Sequence, residues 1–227
     1  MNIKKVAYTA NLMLKNITAV YIACGFLVTV GLWNLIQSLT GLISNDYIDT
    51  ANYLYLFAVL APIIIPAYCL KKILSLNAGK DMFFKGTLLI YIIAALIFSV
   101  MNLLIYSLTN MIFGDSLTIT NLSVVFGWRA HGVIICLLQQ FTFFFLTECF
   151  FHTLTCTHFC RFGIITDLLI CVTLAVFIPI ASLRKYLIAF FNLIIFNDSW
   201  LIQMISCLIL SAVLYLLSVI IIIRKKI

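Results

Sequence analysis

Residues 53–100 read YLYLFAVLAPIIIPAYCLKKILSLNAGKDMFFKGTLLIYIIAALIFSV. Two apolar runs flank a short polar island that gathers Lys71, Lys72, Lys80, Asp81 and Lys85 around Asn77-Ala78-Gly79. Neither run carries a charge, and each is about as long as the 20 residues that carry a helix across roughly 30 Å of hydrocarbon. Neither alternates with a period of two, so the backbone groups are satisfied within helices rather than in a closed barrel. The stretch therefore reads as a transmembrane helical hairpin with a lysine-rich connection.

The same pattern extends over the whole chain. Of its 227 residues 65% are hydrophobic, and mean hydropathy is +1.21; soluble domains hold roughly 45–50% apolar residues. A soluble fold of this length needs a polar surface, and here the few charges cluster between apolar runs. The formal charge of +7 is therefore not a nucleic-acid footprint: its lysines and arginines border membrane segments instead of lining one soluble helix face. Eight cysteines fall inside or at the edges of the runs, which reads as buried small hydrophobes rather than a secreted disulfide framework. The basic, then apolar N-terminal stretch lacks a small-residue cleavage site and reads as a retained first span rather than a signal peptide.

Six spans are expected, at about 17–36, 53–70, 87–107, 132–151, 163–183 and 200–223, in a single all-α transmembrane domain over 1–227. With the N-terminus cytoplasmic, eleven of the 14 lysines and arginines fall inside, and only Arg129, Arg184 and Lys185 fall outside. The positive-inside rule thus places both termini in the cytoplasm. The acidic loop residues Asp46, Asp49, Asp115 and Asp198 then face out. Residues 3–16 mix Lys4, Lys5 and Lys15 with Val6, Tyr8, Leu12 and Leu14, as in a helix lying in the headgroup region. Residues 184–200, basic and then aromatic, are too short to cross and read as a re-entrant or interfacial hairpin in the outer leaflet. Pro62 and Pro66 sit one turn apart in the second span and can bend it, although membrane helices also simply tolerate proline.

The connection at 71–89 calls for more than the positive-inside rule. Asn77 and Gly79 tolerate the positive φ of a tight turn, and Asp81 complements the dipole at the start of the next helix. Phe83 and Phe84 are expected to stand exposed beside Lys80 and Lys85, as a docking knob for a soluble partner. The segment SLNAGKDMFFKGTLL resembles the cytoplasmic loop of small permease subunits in ABC-2-type ABC transporters of Gram-positive bacteria, where a Gly-x-x-Arg-x-x-Phe-Phe-x-Gly-Thr-Leu turn leads into the third span. THFCRFGIITDLLI, at 157–170, resembles the short link between spans four and five of those proteins, centred on Arg161-Phe162-Gly163. Lys80 departs from the family's basic position, which lies one or two residues later, and is followed by Asp81.

The resemblance implies a bacterial plasma-membrane permease subunit that exports an amphipathic peptide or lipid-like substrate. It also implies a second permease chain, identical or related, and two soluble ATPase subunits, which bind the ATP and magnesium. In that family the loop around Asn77, Gly79, Lys80, Asp81, Phe83, Phe84 and Lys85 passes ATPase closure to the membrane helices. Independently, the chain has no G-x-x-x-x-G-K-[ST] loop and no room for an ATPase domain, so no cofactor and no catalytic residue are expected here.

Glu148 is the one acid well inside an apolar run, and with Gln139 and Gln140 it marks a polar strip on the fourth span. The strip fits a substrate path, a dimer interface or an interhelical hydrogen bond. Glu148, His152, Cys156 and Cys160 recur every four residues, but four such ligands cover about 18 Å of helix, too far apart for one metal ion. Asn34 and Asn102 read as interhelical hydrogen-bonding groups, Arg129 and His131 as interface anchors beside Trp128. Asn121-Leu-Ser and Asn197-Asp-Ser match the glycosylation triplet. Two other function classes stay open: an intramembrane protease or acyl transferase using Glu148 with His152 or Cys149, and a non-catalytic assembly or immunity protein.

Overall fold

A computed structural model describes residues 3–15, 25–26, 29–33, 36–37, 40, 46–75, 79–113, 118–160 and 163–224. Most of the expected first span, together with Asn34, Asn77, Asp115, Arg161 and Phe162, lies outside the described residues. The elements are α1 (Ile3–Lys15), β1 (Asp46–Ile48), a 3₁₀ turn (Thr50–Asn52), α2 (Tyr53–Ser75), α3 (Lys80–Phe113) and β2 (Thr118–Thr120). There follow α4 (Leu122–Val125), a second 3₁₀ turn (Trp128–His131), α5 (Val133–His158), α6 (Gly163–Phe177), α7 (Ala181–Ile194) and α8 (Trp200–Arg224).

Among the described residues, four helices are long and apolar enough to cross a membrane: the first 3₁₀ turn with α2, then α3, α5 and α8. They match the expected second, third, fourth and sixth spans, with longer ends. The central helix is α5, which packs against α2, α3 and α8. Three apolar clusters follow it from end to end. Leu54, Ala58, Ala95 and Phe144 join α2, α3 and α5, Ile65, Tyr91, Cys149, Cys156, Tyr215 and Ile222 lie nearer the α1 end, and Trp128, Cys136, Leu146, Ile194 and Cys207 form the third.

The expected fifth span, 163–183, is bent instead of straight. α6 stops at Phe177, and α7 leaves at 116° to it. The cause is Pro179, which disfavours helical backbone at Ile178 and supplies no N–H of its own. α6 has 15 residues, or roughly 22 Å, too short alone for roughly 30 Å of hydrocarbon. Taken as one broken span the pair raises the count to five. The expected hairpin at 184–200 is correspondingly helical to Ile194, and the chain turns back only at 195–199.

At the end opposite α1, the short parallel pair of β1 and β2 matches Asp46 with Thr118, Tyr47 with Ile119 and Ile48 with Thr120. It is the one strand pairing among the described residues. At the other end α1 is folded down onto α3 rather than only lying on a surface. Val6, Thr9, Ala10 and Met13 are buried, and Gly86 allows the approach: a Cβ there would lie 3.0 Å from Met13 Cε. Lys4, Lys5 and Tyr8 stay exposed, as an amphipathic helix at a headgroup surface requires.

Candidate functional site

The helix of α3 begins at Lys80, so Phe83 and Phe84 belong to its first turns and not to a loop. Both are buried, at 0% and 5% exposure. This corrects the expectation of an exposed knob. The reason is helical spacing: Phe83, Phe84, Thr87, Ile90, Tyr91 and Ala95 repeat at three- and four-residue steps and share the face that meets α5 and α8. That repeat was legible in the sequence, although the lysines beside the phenylalanines masked it.

The face closes on His152. Its ring stacks on Tyr215 with centroids 5.2 Å apart and lies 6.3 Å from Phe83. Phe84 and Tyr91 meet it edge-on at 6.0 and 5.3 Å. Nδ1 hydrogen-bonds the Tyr91 hydroxyl at 2.8 Å, and Nε2 lies 3.5 Å from Cys156 Sγ. The Tyr215 and Thr87 hydroxyls are 2.7 Å apart, and both donate to the Phe84 carbonyl. At the same α5–α8 contact, Thr153 donates to Leu214 O at 2.8 Å. Three helices are thus joined by polar groups that lipid cannot satisfy. His152 and Tyr91 escaped the sequence analysis as a pair because they lie 61 positions apart on different helices.

The remaining residues of the connection lie at the rim. Lys80 Nζ donates to the carbonyls of Ile222 and Ile223 at 2.9 and 3.4 Å, capping the last turn of α8 as a cation at a helix C-terminus does. Asp81 and Lys85 sit 4.0 Å apart at i, i+4 with side chains 74% and 47% exposed, and Gly79, Lys71 and Lys72 are exposed beside them. Gly163 opens α6 tightly against α5, since a Cβ there would stand 2.7 Å from His158 Cα. His158 Nε2 and Asp167 Oδ2, 3.1 Å apart, tie the same junction.

Glu148, Gln139 and Gln140 are all fully buried within the single chain. They do not lie on an outer face of the described structure. Neither carboxylate oxygen of Glu148 has a hydrogen-bond partner among the described residues, nor does either amide atom of Gln139. Glu148 is not bonded to His152, and Cys149 does not touch the imidazole nitrogens; Cys156 does.

At the opposite end, Asn102 donates to Ala51 O at 3.2 Å, as expected of an interhelical group. Asn121 Nδ2 donates to Asp49 Oδ2 at 2.7 Å, and its Oδ1 accepts from the Ser123 amide and hydroxyl. Asn121 is 0% exposed, which removes it as a glycosylation acceptor. Burial pushes the Asp49 carboxyl above its usual range, against the opposing pull of Asn121, the Ala51 amide, Thr109 and Arg129. The Arg129 guanidinium lies 4.0 Å over the Tyr106 ring, and Trp128 Nε1 donates to Ile195 O.

No family model, curated protein or solved structure matches this chain.

Proposed function

We propose that the chain is the transmembrane subunit of an ATP-driven transporter, in the bacterial plasma membrane with both termini cytoplasmic. It moves an amphipathic peptide or lipid-like molecule, with hydrolysis carried out by separate ATPase subunits. The sequence resemblance of 71–89 and 157–170 motivates the reading. One structural observation supports it best: the start of α3 is hydrogen-bonded to one and packed on the other of the helices it would need to move. Lys80 holds the end of α8, Phe84 O accepts from Tyr215 of α8, and Phe83 and Phe84 pack on His152 of α5.

A load applied at Gly79–Lys85 therefore passes into the bundle instead of being lost in a loose loop. In this arrangement the partner contacts are the exposed Gly79, Asp81 and Lys85, with Lys71 and Lys72. The phenylalanines transmit the load from beneath. Docking and transmission are separate jobs done by neighbouring side chains.

The deciding experiment is affinity purification of the tagged chain from native membranes in mild detergent, with mass spectrometry of its companions. A stoichiometric ATPase is expected, and its loss in the charge-reversed Asp81→Lys, Lys85→Glu double variant would place the contact. Absence of any ATPase, even after crosslinking, would overturn the reading.

A further inference from the structure

α7 is held at the end of the bundle away from α1. The Ile194 carbonyl accepts from Gln203 Nε2 at 3.1 Å and Cys207 Sγ at 3.5 Å, and the Ile195 carbonyl accepts from Trp128 Nε1 at 2.9 Å. Leu183, Leu187, Phe190 and Ile194 recur at three- and four-residue steps on one face of the helix, while Lys185 and Asn192 lie on the opposite face and Arg184 on its flank. A helix so divided lies along a headgroup surface, its cations at phosphate level and its apolar face turned to the acyl chains.

Beside the seat of Ile194 on α8 is a cleft of about 260 Å³. Phe190 and Leu193 line it from α7, Ile209, Leu210 and Val213 from α8, and Ser206 supplies its one hydroxyl. Phe190, Leu193, Ile209 and Val213 are exposed, so the cleft opens outward to lipid and not into the bundle core. A partner helix, about 10–12 Å across with its side chains, would fill such a volume within a single turn; a flexible acyl chain enters it lengthwise.

Arg184 and Lys185 supply the polar half of the chemistry. Both are exposed, neither forms an ion pair among the described residues, and α7 has no acidic residue in its first turn. Arg184 stands six residues before Phe190 and Lys185 eight before Leu193, roughly 9 and 12 Å along the helix. One leaflet's acyl chain reaches roughly 15 Å, half of the hydrocarbon thickness. A single phospholipid therefore spans the distance from these cations to the cleft.

We propose that α7 and α8 hold an anionic diacyl phospholipid, with its phosphate on Arg184 and Lys185 and one acyl chain in the cleft beside Ile194. Two cations without a protein counter-charge favour an anionic headgroup over a zwitterionic one. The bound chain fills the angle between α7 and α8 that their own side chains leave open. The site does not depend on the transporter reading.

The test uses the full chain in neutral detergent with phosphatidylglycerol that carries a diazirine near the end of one acyl chain, photolysed and mapped by peptide mass spectrometry. Saturable labelling concentrated on residues 190–213 is expected. Phosphatidylcholine bearing the same group should label these positions at least about fivefold less at equal subsaturating concentration. The Arg184→Gln, Lys185→Gln double variant should raise the half-saturating concentration about 25-fold, roughly fivefold for each cation. Val213→Phe, which fills the cleft from an exposed position, should remove the labelling. Labelling spread evenly over the exposed faces of α3 and α6, equal labelling by the two lipids, or saturation unchanged in either variant would mean bulk lipid only and overturn the site. Should a variant not fold, the comparison of the two lipids on the wild-type chain still decides.

Discussion

The hydroxyl of Tyr91 lies 2.8 Å from Nδ1 of His152, and both residues are fully buried, one on α3 and the other on α5. With Cys156 Sγ at Nε2, each ring nitrogen has a partner whichever tautomer is present. Water and lipid are both excluded there, so this pair holds the two helices in one register. Tyr91→Phe keeps the ring packing and deletes one hydrogen bond. Unfolding in detergent should show a loss of about 0.5–1.5 kcal/mol, the net worth of a typical intramolecular hydrogen bond. No change would mean that ring packing alone sets the register.

Phe83→Ala and Phe84→Ala should behave as core truncations. Each removes a side chain at least 95% buried from the Tyr215 and His152 cluster, so the expected loss is about 3–5 kcal/mol. Melting curves of the two variants should fall well below those of Asp81→Ala and Lys85→Ala, which change exposed groups and should stay within about 0.5 kcal/mol. Equal effects would argue against the buried placement.

Gly163→Ala should disturb the junction of α5 and α6. The new methyl would stand 2.7 Å from His158 Cα, a backbone atom that cannot rotate away. A cost of about 1–3 kcal/mol is expected. Cysteine crosslinking between positions 158 and 167, where the wild-type side chains lie 3.1 Å apart, should become less efficient.

Asp49 should impose a pH dependence of opposite sign to the usual salt-bridged carboxylate. Its folded pKa is raised above 3.8, burial being the largest cause. The folded chain therefore keeps this proton to higher pH than the unfolded chain does. Stability from this group is greatest at acid pH, declines as pH rises through the window above 3.8, and is level once both states are ionised. Asp49→Ala should abolish that slope. It should also cost about 1–3 kcal/mol at neutral pH by leaving the Ala51 amide without its acceptor and Asn121 Nδ2 with only the longer bond to Asn102.

Uncharged runs long enough to cross a bilayer, broken by clustered cations, were enough to determine a helical chain with segments long and apolar enough to span a membrane. The apolar solvent acts on composition and length, which are local. Four spans were legible on that ground, as was the interhelical role of Asn102, since a lone amide in lipid must find a partner. The break at Pro179 was not read: hydropathy alone carried the expected fifth span through it, and the bend of 116° appears only in the structure. Other properties depended on which faces meet. Phe83 and Phe84 looked like surface residues beside their lysines, and only the packing of α3 against α5 and α8 turned them inward. The His152–Tyr91 bond and the Lys80 cap on α8 join residues 61 and 142 positions apart. Such contacts arise when helices choose neighbours and register, a choice made by the whole bundle burying its polar groups together.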